Sequence, residues 1–455
     1  MQHHQPHPAR HALVRYFAGR RRARAAGDVV VGHHNSNHIL PLGQPLAYLL
    51  GMDSGQVRAK FRMPLETVEV VPRIWRESEV LRVVSARLDD VPRCLWDFGE
   101  WSLHAYVTGR PLSEEPADRP LGVARIAELA GLFAKLATVP AEELPALPAD
   151  WPEDGDSAGF LHRLAHFADH RVHRHNLGRF GALFAALGVR PGIVGDFLAT
   201  RPALTRRPFI LLHTDVHRAN VIVTPTPEGE RLTLLDWELS LFGDPLHDLA
   251  THVVRMGYDE GERKLAVDLW ADAMRRAGRP ELTAALDPDL ATYLGFEYVQ
   301  SVFPDVMRAA LALPDEAGPE HYADAALRIC GALERAREPL GHPDAPADPA
   351  TAAAALREWH ARDLATWPRT PPDAPATATG PGTGPGWCAD ADQPRGIDAM
   401  PAAASGGTLR PERTPVPADL PGRLPVPADL AERTRVPADL PERTPLPGRS
   451  ASRPA

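Results

Sequence analysis

Residues 209–250, FILLHTDVHRANVIVTPTPEGERLTLLDWELSLFGDPLHDLA, constrain the fold more than any other part of the chain. The apolar run FILL reads as a strand, and it leads into a polar loop that carries Asp215 and Asn220 five positions apart. VIVT (221–224) and RLTLLDW (231–237) then read as two strands around the turn PTPEGE. Folding them as a hairpin returns Asp236 to the side of Asn220, although sixteen residues separate the two. The pattern therefore predicts two carboxylates and one amide meeting at the end of a small sheet.

That donor set suits phosphoryl transfer from ATP. One carboxylate has to orient the attacking hydroxyl and accept its proton, and Mg²⁺ asks for hard oxygen ligands beside the phosphates. Asp215, Asn220 and Asp236 supply three such groups. The segment resembles the H-[GT]-D-x4-N, [IL]-D-W and G-D-P-x2-D-L series of aminoglycoside phosphotransferases and their choline- and homoserine-kinase relatives. The matching residues are His213–Thr214–Asp215 with Asn220, then Leu235–Asp236–Trp237, then Gly243–Asp244–Pro245 with Asp248. The resemblance implies Asp215 as catalytic base, Asn220 and Asp236 as Mg²⁺ ligands, His213 as support for the loop, and Asp244 and Asp248 as its braces. It departs from the family at Thr214, where glycine is usual; threonine fits there if its backbone is extended.

A nucleotide-binding lobe is expected upstream. DVVV (28–31), HILPL (38–42) and QVRAKFRM (56–63) read as strands, with DSG (53–55) as a hairpin turn; IWRESEVLRVVSA (74–86) reads as a helix, and RCLWDFG and WSLHAYVTG as two closing strands. By the resemblance, a lysine in the third strand contacts the phosphates and pairs with a helix glutamate. Lys60 and Glu77 fill those places, with Glu79 as alternative to Glu77 and Arg62, on the same strand face, as rival to Lys60. Lysine is scarce, only Lys60, Lys135 and Lys264 among 50 basic residues, which favours Lys60 as a retained ammonium. GHHNSNH (32–38) holds one glycine instead of GxGxxG, so Ser36 and Asn37 are the candidates to cap the phosphates. LHAYVTGRPL resembles the inter-lobe hinge, with backbone groups near Ala105 and Val107 facing adenine.

The remainder sets the boundaries. Residues 1–27 read as a loose arm with a short helix near His11–Arg20, and the cluster Arg20, Arg21, Arg22 and Arg24 reads as solvated. Residues 28–108 form the nucleotide-binding lobe, and 109–366 a helical lobe for catalysis and substrate binding. Residues 367–455 hold 19 of the 48 prolines and repeat VPADL at Val416, Val426 and Val436. Proline at this density blocks helix and sheet, so a disordered tail is expected, either a neutral extension or a docking segment for a protein partner. The fold class is α+β: a bilobal, protein-kinase-like chain with a small antiparallel-sheet N-lobe and a larger helical C-lobe.

Net charge is −9, which gives no reason to expect a nucleic-acid partner. Three cysteines without metal spacing, no apolar leader and no run long enough to span a bilayer point to the cytoplasm and to no membrane role. The expected activity is ATP- and Mg²⁺-dependent phosphorylation of a small-molecule hydroxyl, aminoglycoside-like or another metabolite. A peptide or protein acceptor in natural-product maturation and a nucleotide-binding scaffold without turnover are the alternatives; intact Asp215, Asn220 and Asp236 argue against the scaffold. Asp259, Glu260, Glu262, Glu297 and Asp305 are the acidic residues available to an acceptor pocket.

Overall fold

A computed structural model describes residues 8–23, 28–31, 35–52, 57–64, 71–116, 119–341 and 348–366. The expected Pro-rich tail and the DSG turn at 53–55 lie outside the described residues.

The small lobe holds helix α1 (Pro8–Ala23), strands β1 (Asp28–Val31) and β2 (Asn35–Pro41), helix α2 (Gln44–Leu50), strand β3 (Arg58–Pro64), helix α3 (Glu77–Val84) and strands β4 (Cys94–Asp97) and β5 (Ser102–Ala105). The strands form one antiparallel sheet in the order β1-β2-β3-β5-β4. Side chains alternate across such a sheet. Leu40, Ala59, Phe61 and Leu103 pack on one face with Val14 and Ala18 of α1, whose i, i+4 spacing gives that helix one buried stripe. Register places Asn37 opposite Arg62 and Lys60 opposite His104, so these polar side chains share the other face.

Two expectations need correcting here. The short helix expected near His11–Arg20 is present as Pro8–Ala23, but the arm is not loose there, because the helix packs into the small-lobe core. Its basic residues are engaged too: Arg21 donates to the Pro41 carbonyl at 2.7 Å and Arg22 lies over the Trp101 ring. The link from β2 to β3 is also not a hairpin turn, because α2 intervenes. Its single-turn apolar pattern, Leu46 and Ala47, is too short to stand out as a helical period.

The large lobe runs β6 (Arg110–Pro111), α4 (Val123–Leu136), α5 (Ser157–Phe167), α6 (Leu177–Ala186), α7 (Ile193–Ala199), β7 (Ile210–Leu212), β8 (Val221–Thr226), β9 (Gly229–Leu234), β10 (Leu241–Gly243), α8 (Pro245–Arg255), α9 (Glu260–Arg276), α10 (Leu286–Leu311), α11 (Pro319–Leu340) and α12 (Pro349–Thr366). β6, β8 and β9 make one small sheet and β7 pairs with β10. The helices enclose a core that includes fully buried Trp237, Trp270 and Phe303, each worth roughly 1.5–3 kcal/mol of transfer free energy. Within it Arg207, fully buried, joins Asp244 and Asp289 and donates to the Ala284 carbonyl at 2.8 Å, which anchors the start of α8 to α10. The histidine-rich stretch from the end of α5 onward packs by its rings, His166 on His170 and His173 on Phe303. Among the described residues no cluster of three His, Cys, Asp or Glu side chains has metal-binding geometry, and no helix is long and apolar enough to cross a membrane.

Candidate active site

The loop after β7 is held by its own backbone amides. His213 and Thr214 donate their N–H groups to the two carboxylate oxygens of Asp248, each at 2.8 Å. The expectation of an extended Thr214 is overturned: its φ is +61°, in the left-handed region where glycine is usual. The two amide bonds to Asp248 and a hydroxyl bond from Thr214 to the Leu239 carbonyl at 2.6 Å hold it there. Buried His213 lies within 3.0 Å of the Leu235 carbonyl through Nε2, and its Nδ1 accepts the Asp215 amide at 3.3 Å. Burial lowers its pKa, which keeps the ring neutral in the tautomer that both bonds require.

This turn delivers Asp215 to a polar corner. Oδ2 accepts from the Asn220 amide at 2.9 Å and lies 3.5 Å from His217 Nε2, while Oδ1 accepts from Arg255 Nη1. Burial alone would raise this carboxyl, but the His217 and Arg255 interactions outweigh it and hold the pKa well below the usual carboxylate range. Asp215 is therefore ionised at neutral pH.

The β8–β9 hairpin closes as the sequence implies, with the Leu235 amide on the Asn220 carbonyl at 2.8 Å. Asp236 follows with φ +67°, a left-handed turn that points the chain from β9 towards Trp237. Its charge is felt by His213, and Asp215 acts electrostatically on it, so the two carboxylates and Asn220 occupy one corner. Burial works to raise the Asp236 carboxyl, yet Arg62 and Lys60 bring it down to about 2.

The small lobe meets this corner through Arg62. Its guanidinium, 3% exposed, contacts Glu77 and Asp236 and lies 3.3 Å from Glu238. Glu77 also accepts the Trp237 amide at 3.0 Å, which ties α3 to the segment after β9. The Lys60–Glu77 ion pair expected from the sequence is therefore replaced by Arg62–Glu77. Lys60 shares the face and adds a positive charge felt by Asp236 and Glu77, but among the described residues no carboxylate lies within ion-pair distance of it. The reason is reach: a planar guanidinium with several donors can serve three carboxylates at once, and an ammonium presents one point charge. Glu79 is used elsewhere, bonded to Arg76 at the start of α3.

Other placements also depart from expectation. Ser36 and Asn37 belong to β2, with their backbones in the ladder to β1 and β3, and so are not loop residues. The Asn37 side chain is buried opposite Arg62, and among the described residues its Oδ1 has no hydrogen-bond partner. Ala105 ends β5 with its amide on the Arg93 carbonyl at 2.9 Å, which removes that donor from any hinge contact with adenine. Val107 lies just beyond, in the link to β6. Asp244 caps α8 through the Leu246 amide at 3.0 Å and pairs with Arg207; the direct brace on the loop is Asp248. Of the acidic residues offered to an acceptor, Asp259 caps α9 and Glu262 accepts from the Leu121 and Gly122 amides. Glu297 and Asp305 lie on α10, and both are electrostatically coupled to Arg255.

Arg255 and His217 were not singled out by sequence reasoning, yet both touch Asp215. The signal was present. Asp248, His252 and Arg255 fall at i, i+4 and i+7 on α8, one face of a helix. That face reads along the loop residue by residue: Asp248 holds the 213 and 214 amides, His252 lies 2.9 Å from the Val216 carbonyl, and Arg255 reaches Asp215.

The Phosphotransferase enzyme family matches residues 45–288, more than half of the chain and all of this corner. The chain belongs to that family. As a phosphotransferase it is similar in structure to an ethanolamine kinase of Plasmodium vivax (11% identity, 69% of this chain and 81% of that chain covered, TM-score 0.45). It is also similar to a choline/ethanolamine kinase family protein of Mesorhizobium loti (16% identity, 74% and 94%, TM-score 0.41) and to a macrolide 2'-phosphotransferase of Brachybacterium faecium (19% identity, 73% and 99%, TM-score 0.41). No curated protein sequence matches this phosphotransferase.

Proposed function

We propose that the chain transfers the γ-phosphoryl group of ATP, held with Mg²⁺, to a hydroxyl of a small molecule. The observation that carries this reading is the convergence of Asp215, Asn220 and Asp236 on one corner between the lobes.

The residues present fit both groups. Asn220 spends its amide nitrogen on Asp215, which leaves the amide oxygen as its acceptor; together with the Asp236 carboxylate it forms the hard-oxygen pair that Mg²⁺ prefers. Next to them, among the described residues, Arg62 Nη1 is buried without a hydrogen-bond partner, and Lys60 adds a positive charge from the same strand face. Both suit phosphate oxygens. Bound Mg²⁺ would neutralise charge on the phosphates during transfer.

Asp215 orients the acceptor hydroxyl and takes its proton as the oxygen bonds to the γ-phosphorus. The bond from that phosphorus to the bridging oxygen of ADP breaks. Its low pKa makes Asp215 a weak base, so its contribution is to hold the hydroxyl in line and to accept the proton late, once the oxygen has become acidic by bonding to phosphorus. Asp248 and His213 keep the loop in place, and Arg62 and Glu77 join the small lobe to the large one, Arg62 through Asp236 and Glu77 through the Trp237 amide. Incubation with γ-labelled ATP and a panel of hydroxyl compounds tests the reading. Labelled product that needs magnesium is expected; nucleotide binding with no transfer and no hydrolysis would overturn it.

A further inference from the structure

Beside Asp215, the end of α8 and one face of α10 form a wall of charged side chains. On α10, Glu297, Ser301, Asp305 and Arg308 succeed one another at three- and four-residue spacing, which places them on a single stripe. Arg255 fixes where that stripe looks, because it contacts Asp215 and also lies 3.9 Å from Glu297. Asp305 comes next along the stripe, shared between Arg308 at 3.9 Å and Arg335 of α11 at 3.4 Å.

The carboxylates on this wall are largely spoken for. Glu297 is 2% exposed, so no ligand reaches it; one of its oxygens accepts from the Gln300 amide at 3.1 Å, and the other lies 3.4 Å from the ring of His247, which burial keeps neutral. Asp305 is divided between two arginines. Arg308, 37% exposed, is the most open charged side chain of the set, with Asp305 at 31% and Arg255 at 28%. Arg255 is met by Asp215, the base itself, while among the described residues the nearest carboxylate to Arg308, Asp305, stands at 3.9 Å, the outer limit of an ion pair.

We infer that the acceptor carries an anionic group, a carboxylate or phosphate close to the reacting hydroxyl, and that Arg255 and Arg308 bind it. This rests on the phosphotransfer reading above. Two guanidinium groups offer the planar, forked donors that carboxylates and phosphates match. A polycationic acceptor would set like charges against both of them. Binding of the anion would also draw Arg255 away from Asp215, freeing the oxygen that must face the hydroxyl. Arg255 thus couples occupancy of the acceptor site to readiness of the base.

The test uses the full-length protein saturated with magnesium and β,γ-imido-ATP. It is titrated by calorimetry with three anions (D-glycerate, malonate and inorganic phosphate) and with two cations (choline and spermidine). At least one anion is expected to bind tenfold more tightly than either cation. That binding should weaken tenfold or more in Arg255→Ala and in Arg308→Gln, and Arg308→Lys should recover part of it. Melting curves on the same samples establish that the variants are folded. Tighter cation binding, no anion binding, or anion binding indifferent to both arginines would overturn the inference. Failure of β,γ-imido-ATP itself to bind would instead count against the phosphotransfer reading.

Discussion

Each of the two carboxylates in the candidate active site is met by an arginine, and the two arginines differ in kind. Arg62 comes from the small lobe, is almost wholly buried and is shared among Glu77, Asp236 and Glu238. Arg255 comes from the last turn of α8, is partly open to solvent and has Asp215 as its close partner. Burial makes an ion pair costly to break, because whatever remains is an uncompensated charge out of water; exposure makes it exchangeable. Arg62 therefore acts as a joint between lobes, and Arg255 as a contact that a ligand can replace.

The largest effect expected falls on the carboxylates themselves. Asp215→Ala should lower kcat by about 10²–10⁴-fold, with nucleotide affinity nearly unchanged. Asp236→Ala should weaken magnesium-dependent nucleotide binding as well. Steady-state kinetics with nucleotide titrations separate the two, and equal effects of both variants on nucleotide affinity would erase the division of labour between the two carboxylates.

The arginines come next. Arg62→Ala strands three carboxylates and should cost about 3–5 kcal/mol of stability in urea unfolding. Arg255→Ala should cost about 1 kcal/mol or less. Similar losses would break the contrast between joint and exchangeable contact.

Glu297, beneath Arg255, sharpens it by pH. Burial pushes its carboxyl from 4.5 up to about 7, so between those values it is protonated in the folded chain and ionised in the unfolded one. Its contribution to stability therefore falls as pH rises through that window and levels off above about 7. Glu297→Gln should flatten this part of the stability profile by on the order of 3 kcal/mol across the window. An unchanged slope would mean that Glu297 stays ionised throughout and neutralises Arg255.

The smallest effect belongs to the loop. Thr214→Gly relieves a left-handed backbone, worth roughly 1–2 kcal/mol, but removes the hydroxyl bond to Leu239, worth about 1 kcal/mol. The net change should stay within about 1 kcal/mol by thermal unfolding. A loss well beyond that would show the hydroxyl bond to be the main support of the turn.

The sequence carried the β8–β9 hairpin and the meeting of Asp215, Asn220 and Asp236 because local rules decide both: strand pattern, turn residues and loop length. It favoured Lys60 over Arg62, which shares its strand face, as the partner of Glu77, and the structure gives that pairing to Arg62. The choice was made by Glu77, Asp236 and Glu238, which come together only when the lobes close on each other. The docking of α1, though not the helix itself, was missed for a related reason. Its apolar stripe is short and its arginines suggest solvent, yet the sheet face bearing Phe61 and Leu103 needed covering. Thr214 shows the limit of residue-type reasoning in the other direction. A β-branched residue argues for extended backbone, but a buried carboxylate 34 positions away fixes the turn instead.

One face of α8 works as a ruler laid along the loop, with the 248 and 252 side chains gripping backbone and the 255 side chain touching the reacting group. The two functions are thus separated by a single helical turn. Selection can exchange the residue at 255, and with it the kind of molecule welcomed, while the grip that shapes the loop is inherited intact.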